Sequence, residues 1–387
     1  MSSTLDEICK FYSGTGFPNK FQGKRNGKYP FVKVGDISRT VKKGNITLTK
    51  SQNYINDDVV NKINGKIVPK DTIIFAKIGE ALKLNRRVIT NKECLIDNNI
   101  LGIKPKTNKI DLKYLFYFMN HLKLEKFSES TTVPSVRQTR LKSITINIPS
   151  IDEQLEIVNI LENINKAVLL KREQLSKLEI LIKARFVEMF GDIIHNSKKL
   201  PTKSLHQICN TVSGGTPSRK HLEYYGGNIP FVTTVALGPN YIDAEDAQDY
   251  LTEEGVKESA TRKIPVNSIL FGNRVGVGKS SINKVEVCIN QDIIALTDID
   301  FEKNNLLFLK MVLEEYKEYF EVQKRGATIK GIPSKIVKNI SIPIVSLSLQ
   351  NEFANFVQQV DKSKVAVQKS LDETQKLYDS LMQEYFG

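Results

Sequence analysis

The chain has 387 residues, 40% of them hydrophobic, a formal net charge of +13 and four cysteines. That is enough length for two ordinary domains with connectors, and enough apolar content to exclude a disordered chain. No run approaches the roughly 18 apolar residues of a membrane span, and Met1 to Glu7 lacks a basic-then-apolar leader, so no membrane segment is expected and the expected location is the cytoplasm.

In chain order, residues 1–150 form the first predicted globule. Apolar, β-branched runs at Tyr29 to Val34, Thr72 to Ala76, Arg87 to Thr90, Ile100 to Ile103 and Ser143 to Ile148 alternate with Gly, Asn and Lys turns and predict strands. Lys113 to Leu124 is apolar at helical spacing. The stretch 151–195 differs in kind: from Asp152 to Phe190 there is no Pro and no Gly, and Leu155, Val158, Leu161, Ile164, Val168, Leu175, Leu178 and Ile182 fall mostly three and four residues apart. That spacing predicts a long amphipathic helix. Residues 196–345 form a second globule, with Leu306 to Phe320 as the counterpart of the first helix. In 346–387, Phe356, Val360, Val367, Leu371, Leu377 and Leu381 give a second long helix of the same kind.

The second half repeats the first. Leu5, Ile8, Cys9, Ser13, Gly14, Pro30, Phe31 and Val32 recur 200 residues later as Leu205, Ile208, Cys209, Ser213, Gly214, Pro230, Phe231 and Val232. Ile148-Pro149 returns as Ile342-Pro343, and Phe190-Gly191 as Phe386-Gly387. A period this long is a duplicated domain, not a solenoid unit. Helices of some 38 residues would be about 57 Å long, more than either globule can bury. Their apolar seams are therefore expected to pair with each other, antiparallel because a globule intervenes, and to relate the two globules by a pseudo-twofold axis. The expected class is α+β: two mixed α/β domains alternating with two long helices paired as an antiparallel coiled coil.

Charge is uneven: residues 1–150 carry 27 Lys and Arg against 12 Asp and Glu, whereas residues 196–343 carry 19 against 17. The excess in the first globule points to a polyanionic partner, and nucleic acid is the commonest. Catalytic motifs are missing. Gly272 to Ser280 imitates a phosphate-binding loop, but five residues separate Gly272 from Gly278 where that loop needs four, so a strand followed by a basic turn with Arg274 and Lys279 exposed is expected. There is no Pro-Pro pair of the kind found in amino-methyltransferases, no Gly-x-Ser-x-Gly and no His-Glu-x-x-His. His121, His195, His206 and His221 are read as surface or core-edge residues without carboxylate or Cys neighbours at ligand spacing, so no metal site is expected. Cys9 and Cys209 are read as reduced core positions.

Ser213-Gly214-Gly215-Thr216-Pro217-Ser218, Ile229-Pro230-Phe231-Val232, Ser268-Ile269-Leu270-Phe271-Gly272, Ile289-Asn290-Gln291-Asp292 and Ile340-Ser341-Ile342-Pro343 with Gln350 resemble the target recognition domain of type I restriction–modification DNA specificity subunits. The first half repeats the pattern more loosely, as Ser13-Gly14-Thr15-Gly16-Phe17-Pro18, Tyr29-Pro30-Phe31-Val32, Thr72-Ile73-Ile74-Phe75 and Ile146-Asn147-Ile148-Pro149 with Glu153-Gln154. The resemblance spans the whole chain. It implies a non-enzymatic subunit whose two domains each read one half of a bipartite double-stranded DNA sequence. It also implies that the helices set the spacer and bind two modification subunits that methylate adenine, with restriction subunits joining them. S-adenosylmethionine, ATP and Mg would then belong to those partners, and none to this chain. Two departures stand out: the lead-in Lys199-Leu200-Pro201 has no counterpart before Leu5, and the second globule is nearly neutral. A self-contained restriction or modification enzyme would need a fused catalytic block for which the duplication leaves no room. A coiled-coil scaffold that binds nucleic acid nonspecifically is the other alternative.

Candidate DNA contacts follow from chemistry, not from family positions: Arg, Lys, Asn, Gln, Ser and Thr on exposed turns for bases and phosphates. In the first globule these are Lys20, Lys24, Arg25, Lys28, Lys77, Arg86, Arg87, Arg137, Gln138 and Arg140, the last three near Thr132-Val133-Pro134-Ser135. In the second they are Arg219, Lys220, Thr233, Thr234, Asn273, Arg274, Lys279, Arg325, Thr328 and Lys330.

Overall fold

The computed structural model describes residues 2–128, 134–325 and 331–387. The chain divides into two compact units, Met1–Gln174 with Val367–Gly387, and Leu175–Ala366. The division falls inside both long helices, so each unit holds one globule and a portion of each helix.

The first unit contains β1 (Ser2–Thr4), β2 (Cys9–Ser13), β3 (Tyr29–Val32), β4 (Thr47–Leu48), β5 (Tyr54–Ile55), β6 (Ile73–Ala76), β7 (Arg87–Thr90), β8 (Leu95–Ile96), β9 (Ile100–Pro105) and β10 (Thr145–Asn147). They form a five-stranded sheet in the order β2-β9-β6-β7-β4, a three-stranded sheet β5-β3-β8 and a pair β1-β10. The second unit contains β11 (Thr202–Ser204), β12 (Asn210–Ser213), β13 (Tyr225–Val232), β14 (Tyr241–Ile242), β15 (Asp249–Leu251), β16 (Lys263–Ile264), β17 (Ile269–Gly272), β18 (Ser280–Asn283), β19 (Val287–Ile289), β20 (Ile293–Thr297) and β21 (Ser341–Pro343). Their orders, β12-β20-β17-β18-β14, β15-β13-β19-β16 and β11-β21, repeat the first set with one strand added to the smaller sheet.

The apolar runs are continuous because the central strands are buried on both faces. In β6, Ile73 and Phe75 enter the core beneath the helix Leu112–His121, while Ile74 enters a second core with Val32, Val88 and Ile96. In β17, Ile269 and Phe271 take the first role and Leu270 the second. The expected helix Leu306 to Phe320 is two, Leu306–Glu315 and Lys317–Gln323, meeting at Tyr316. Gly272 to Ser280 joins β17 to the antiparallel β18, a hairpin turn and not the strand-to-helix passage of a phosphate loop.

The long helices run Ile151–Phe190 and Leu347–Phe386. The first is capped by Ser150, whose hydroxyl accepts from Glu153 N at 3.3 Å while the Glu153 carboxylate accepts from Ser150 N at 2.8 Å. Gly191, at φ +79°, ends it in the left-handed conformation open to glycine. The pairing is antiparallel within each unit. In the first, Lys171 Nζ reaches Thr374 Oγ1 at 2.5 Å and Ser370 O at 3.2 Å, and Leu161 shares a core with Met382. In the second, Arg185 meets Glu352 at 2.8 Å and Phe186 packs on Phe353.

Two expected seam residues are off the seam: Leu155 is 49% and Leu377 51% exposed. Val158, Leu161, Val168, Val360 and Leu371 are buried, and Ile164, Leu175, Leu178, Ile182, Phe356, Val367 and Leu381 are half-buried. The seam is not purely interhelical, since Val158 and Leu161 also enter the globule's core.

Candidate nucleic-acid interface

In each unit one turn gathers three loops that are distant in sequence. In the first, the turn Asp97–Asn99 follows β8. Thr15 N donates to Ile96 O at 2.8 Å, Asp97 N to Val32 O at 2.9 Å and Lys77 N to Asn99 O at 2.9 Å. The Lys77 segment is then bridged to residues 134–136, with Val136 N on Lys77 O at 2.9 Å and Gly79 N on Pro134 O at 2.8 Å. Ser13 Oγ donates to Gln138 Oε1 at 3.4 Å, closing the group.

The second unit repeats four of these bonds. Gly215 N donates to Ile289 O at 3.0 Å, Asn290 N to Val232 O at 3.2 Å, Asn273 N to Asp292 O at 2.9 Å and Ile332 N to Asn273 O at 2.7 Å. The Ser-Gly motif belongs to this turn, because a Cβ at Gly14 would overlap the Asp97 carbonyl and one at Gly214 the Asn290 carbonyl.

The turn brings together Lys77, Arg137 and Gln138 in the first unit, and Asn273, Arg274 and Arg325 in the second, where Arg325 and Gly331 exchange backbone hydrogen bonds of 2.8 and 2.9 Å. Lys20, Lys24, Arg25 and Lys28 are exposed on the loop that continues from Thr15. Lys28 is held by Asp57 at 2.9 Å and lies over the Tyr29 ring. Arg140 is exposed on the short helix that follows Arg137. Arg219 and Lys220 are exposed in the corresponding loop of the second unit, with Arg219 paired to Asp249 at 2.9 Å and stacked over Tyr225. Lys279 is exposed on the β17–β18 hairpin. Thr328 and Lys330, like Thr132 and Val133, lie outside the described residues.

Four expected contacts are placed elsewhere. Arg87 is 2% exposed and spends its guanidinium on Asn85 O, Asn85 Oδ1 and Leu122 O, so it caps the helix Leu112–His121 instead of meeting solvent. Thr234 is buried, and the Thr233 hydroxyl is committed to Gln248 Oε1 at 2.8 Å. Arg86 is half-buried and lines a cleft against the first long helix.

The histidine reading also needs correction. His195 Nδ1 lies 2.6 Å from Asp192, and His221 Nδ1 lies 2.8 Å from Glu223. Among the described residues no three potential ligands converge on a metal position. All four cysteines are free and buried.

The turn residues Asp97, Asn99, Asn290 and Asp292 are not among the expected site residues. Asp292 faces the expected Arg274 at 3.4 Å, and Oδ1 of the expected Asn273 is buried without a hydrogen-bond partner among the described residues. The available signal was the Ile289-Asn290-Gln291-Asp292 motif.

A duplicated mixed domain that presents basic and amide side chains from converging turns, joined to paired long helices, defines a two-module recognition chain. It belongs to the family described as type I restriction modification DNA specificity domain, whose profile matches twice, at residues 1–180 and 198–375. It is 28% identical over 268 residues to the Escherichia coli type I restriction enzyme EcoR124I/EcoR124II specificity subunit, covering 66% of this chain and 64% of that one, so the match spans less than two thirds of the relative. It is 22% identical over 383 residues to the putative MjaX specificity subunit of Methanocaldococcus jannaschii, covering 93% and 87%. The fold is shared with the crystal structure of the type I restriction–modification S subunit from M. genitalium, at TM-score 0.57 and 16% identity over 100% of this chain and 96% of that one. The chain is thus built of two type I DNA specificity domains, one in each half. Among the described residues no helix is long and apolar enough to cross a membrane.

Proposed function

We propose that residues 1–150 and 196–345 each read one half of a bipartite double-stranded DNA sequence. The helices in 151–195 and 346–387 set the number of unread base pairs and seat two modification subunits, with restriction subunits joining that complex. In this reading S-adenosylmethionine, ATP and Mg serve the partner subunits. The observation that carries it is the duplicated turn, which brings the same three loops together in both halves. Phosphate contacts fall to the exposed Lys20, Lys24, Arg25, Arg219 and Lys220 and to the half-buried Lys77. Base contacts fall to Gln138, Asn273 and Arg274, where amide and guanidinium groups suit base edges and Asn273 Oδ1, without a hydrogen-bond partner among the described residues, suits an exocyclic amino group.

Adenine methylation mapped across the host genome, with and without this gene, tests the reading. Loss of a single split motif on deletion is the expected result. An unchanged map, from a chain that still co-purifies with a methyltransferase, overturns it and leaves the nonspecific scaffold.

A further inference from the structure

The two units carry clefts at equivalent places, between the globule's main helix and the long helices, and the clefts differ in charge. The strand registers Phe75 to Arg87 and Phe271 to Ser280 make Arg87 the counterpart of Ser280. Asn120 corresponds to Glu314 at the 194-residue offset of Leu112 and Leu306, and Asn165 to Asp361 at the 196-residue offset of Gln154 and Gln350.

In the second unit the cleft, about 200 Å³, balances its own charge. The buried Lys310 meets Glu314 at 2.6 Å, Ser280 Oγ donates to the same carboxylate at 3.3 Å, and Lys364 faces Glu179 at 3.6 Å. In the first unit the cleft is larger, about 340 Å³, and no carboxylate lines it. Asparagines stand where the acids would be, and Arg86, Arg87 and Arg172 line it instead. Glu162, on the adjoining groove, is held by Lys113 at 2.7 Å.

Arg87 deepens the imbalance. Its three hydrogen bonds go to neutral oxygens, and among the described residues its Nε has no partner and no carboxylate pairs with its buried charge. Burial draws its pKa down to about 9, which still leaves it a cation at neutral pH. A buried cation without an anion is costly, and the cost falls when an anion arrives.

We propose that this cleft binds a phosphate group, with Arg86 and Arg172 as its direct ligands, the asparagine amides as further donors, and Arg87 behind them supplying the uncompensated positive charge. Two guanidinium forks and several amides offer more donors than the two oxygens of a carboxylate can use, and they match a tetrahedral oxyanion. The phosphate comes either from free inorganic phosphate or from a DNA backbone.

Thermal unfolding of the full chain in inorganic phosphate, against chloride at matched ionic strength, tests the proposal. The wild-type midpoint rises with phosphate concentration, and the doubly substituted Arg86→Gln, Arg172→Gln protein does not respond. Both side chains are partly exposed, so that protein folds, as its circular dichroism will report. Absence of a phosphate effect in the wild type, an equal effect in the double variant, or a larger effect from acetate each overturns the proposal. Duplex DNA titrations separate the sources. A backbone contact lowers the log–log salt slope of the double variant by about 0.9 per phosphate lost, whereas free phosphate leaves it unchanged. Failure here leaves the methylation map intact, so the two readings fall separately.

Discussion

Gln154 and Gln350 show how much one side chain can fix. Both are buried, and both make the same three bonds. Gln154 accepts from Asp111 N at 2.8 Å and donates to Lys109 O and Pro149 O at 2.8 and 3.0 Å. Gln350 accepts from Asn305 N at 2.8 Å and donates to Lys303 O and Val345 O, both at 3.0 Å. Each ties the first turn of a long helix to the loop that caps the globule's main helix. Substitution by Ala leaves three part-buried backbone groups without this partner and is expected to destabilise its own unit by about 1–3 kcal/mol, read from the denaturant midpoint. A change below 0.5 kcal/mol would refute the role. The cysteines give a second check. Burial pushes the thiols of Cys9, Cys94 and Cys209 up to about 12 and that of Cys288 to about 11, so at pH 8 none is a thiolate. A thiol reagent should label none in the native protein and all four after denaturation. Arg87 marks where residue-level reading fails: its sequence neighbourhood is that of any basic strand end, and the carbonyl of Leu122 that claims it is 35 positions away.

At the scale of elements, the expected strands appear because β-branched runs and their repeats carry that information directly. Their two-sided burial does not show in a continuous apolar run, which lacks the alternation that assigns faces. The short strands β4, β5, β8, β14 and β16 were not anticipated, because two residues leave no pattern to detect. The long helices were legible to within a few residues, but their seam was not. Helical spacing alone cannot distinguish a face turned to the partner helix from one turned to the globule or to water, and so it places Leu155 and Leu377 on the seam, where the structure exposes them. The difference is measurable. Leu161→Ala and Phe353→Ala remove wholly buried side chains and are expected to cost about 2–5 kcal/mol, while Leu155→Ala and Leu377→Ala stay within about 0.5 kcal/mol. Equal costs across the four would mean that the helices pack on a different face.

For the molecule as a whole, duplication supplies two domains from one design, and the halves differ at the loops to which the proposed reading assigns recognition. The sheet order is kept, but the loops around the turn change from Lys77 to Asn273 and from Asn99 to Asp292, and the net charge of the globules differs sharply. The order of motifs made the architecture legible. The DNA sequence is not legible, because base contacts depend on side-chain reach and DNA deformation. The spacer is open to experiment through the helices. Deleting seven residues from each, centred on Arg172 in the first and Ser370 in the second, removes facing segments, since Lys171 bonds to Ser370 O. Seven residues are nearly two turns, so the apolar face returns within about 20° of its place and the helix loses about 10 Å. That length is about three base pairs of rise. Methylation mapping of the shortened protein should recover both half-sites with a smaller gap between them. The same half-sites at the original gap would show that the helices do not set the spacer, and loss of one half-site alone would show that the deletion had disturbed its domain.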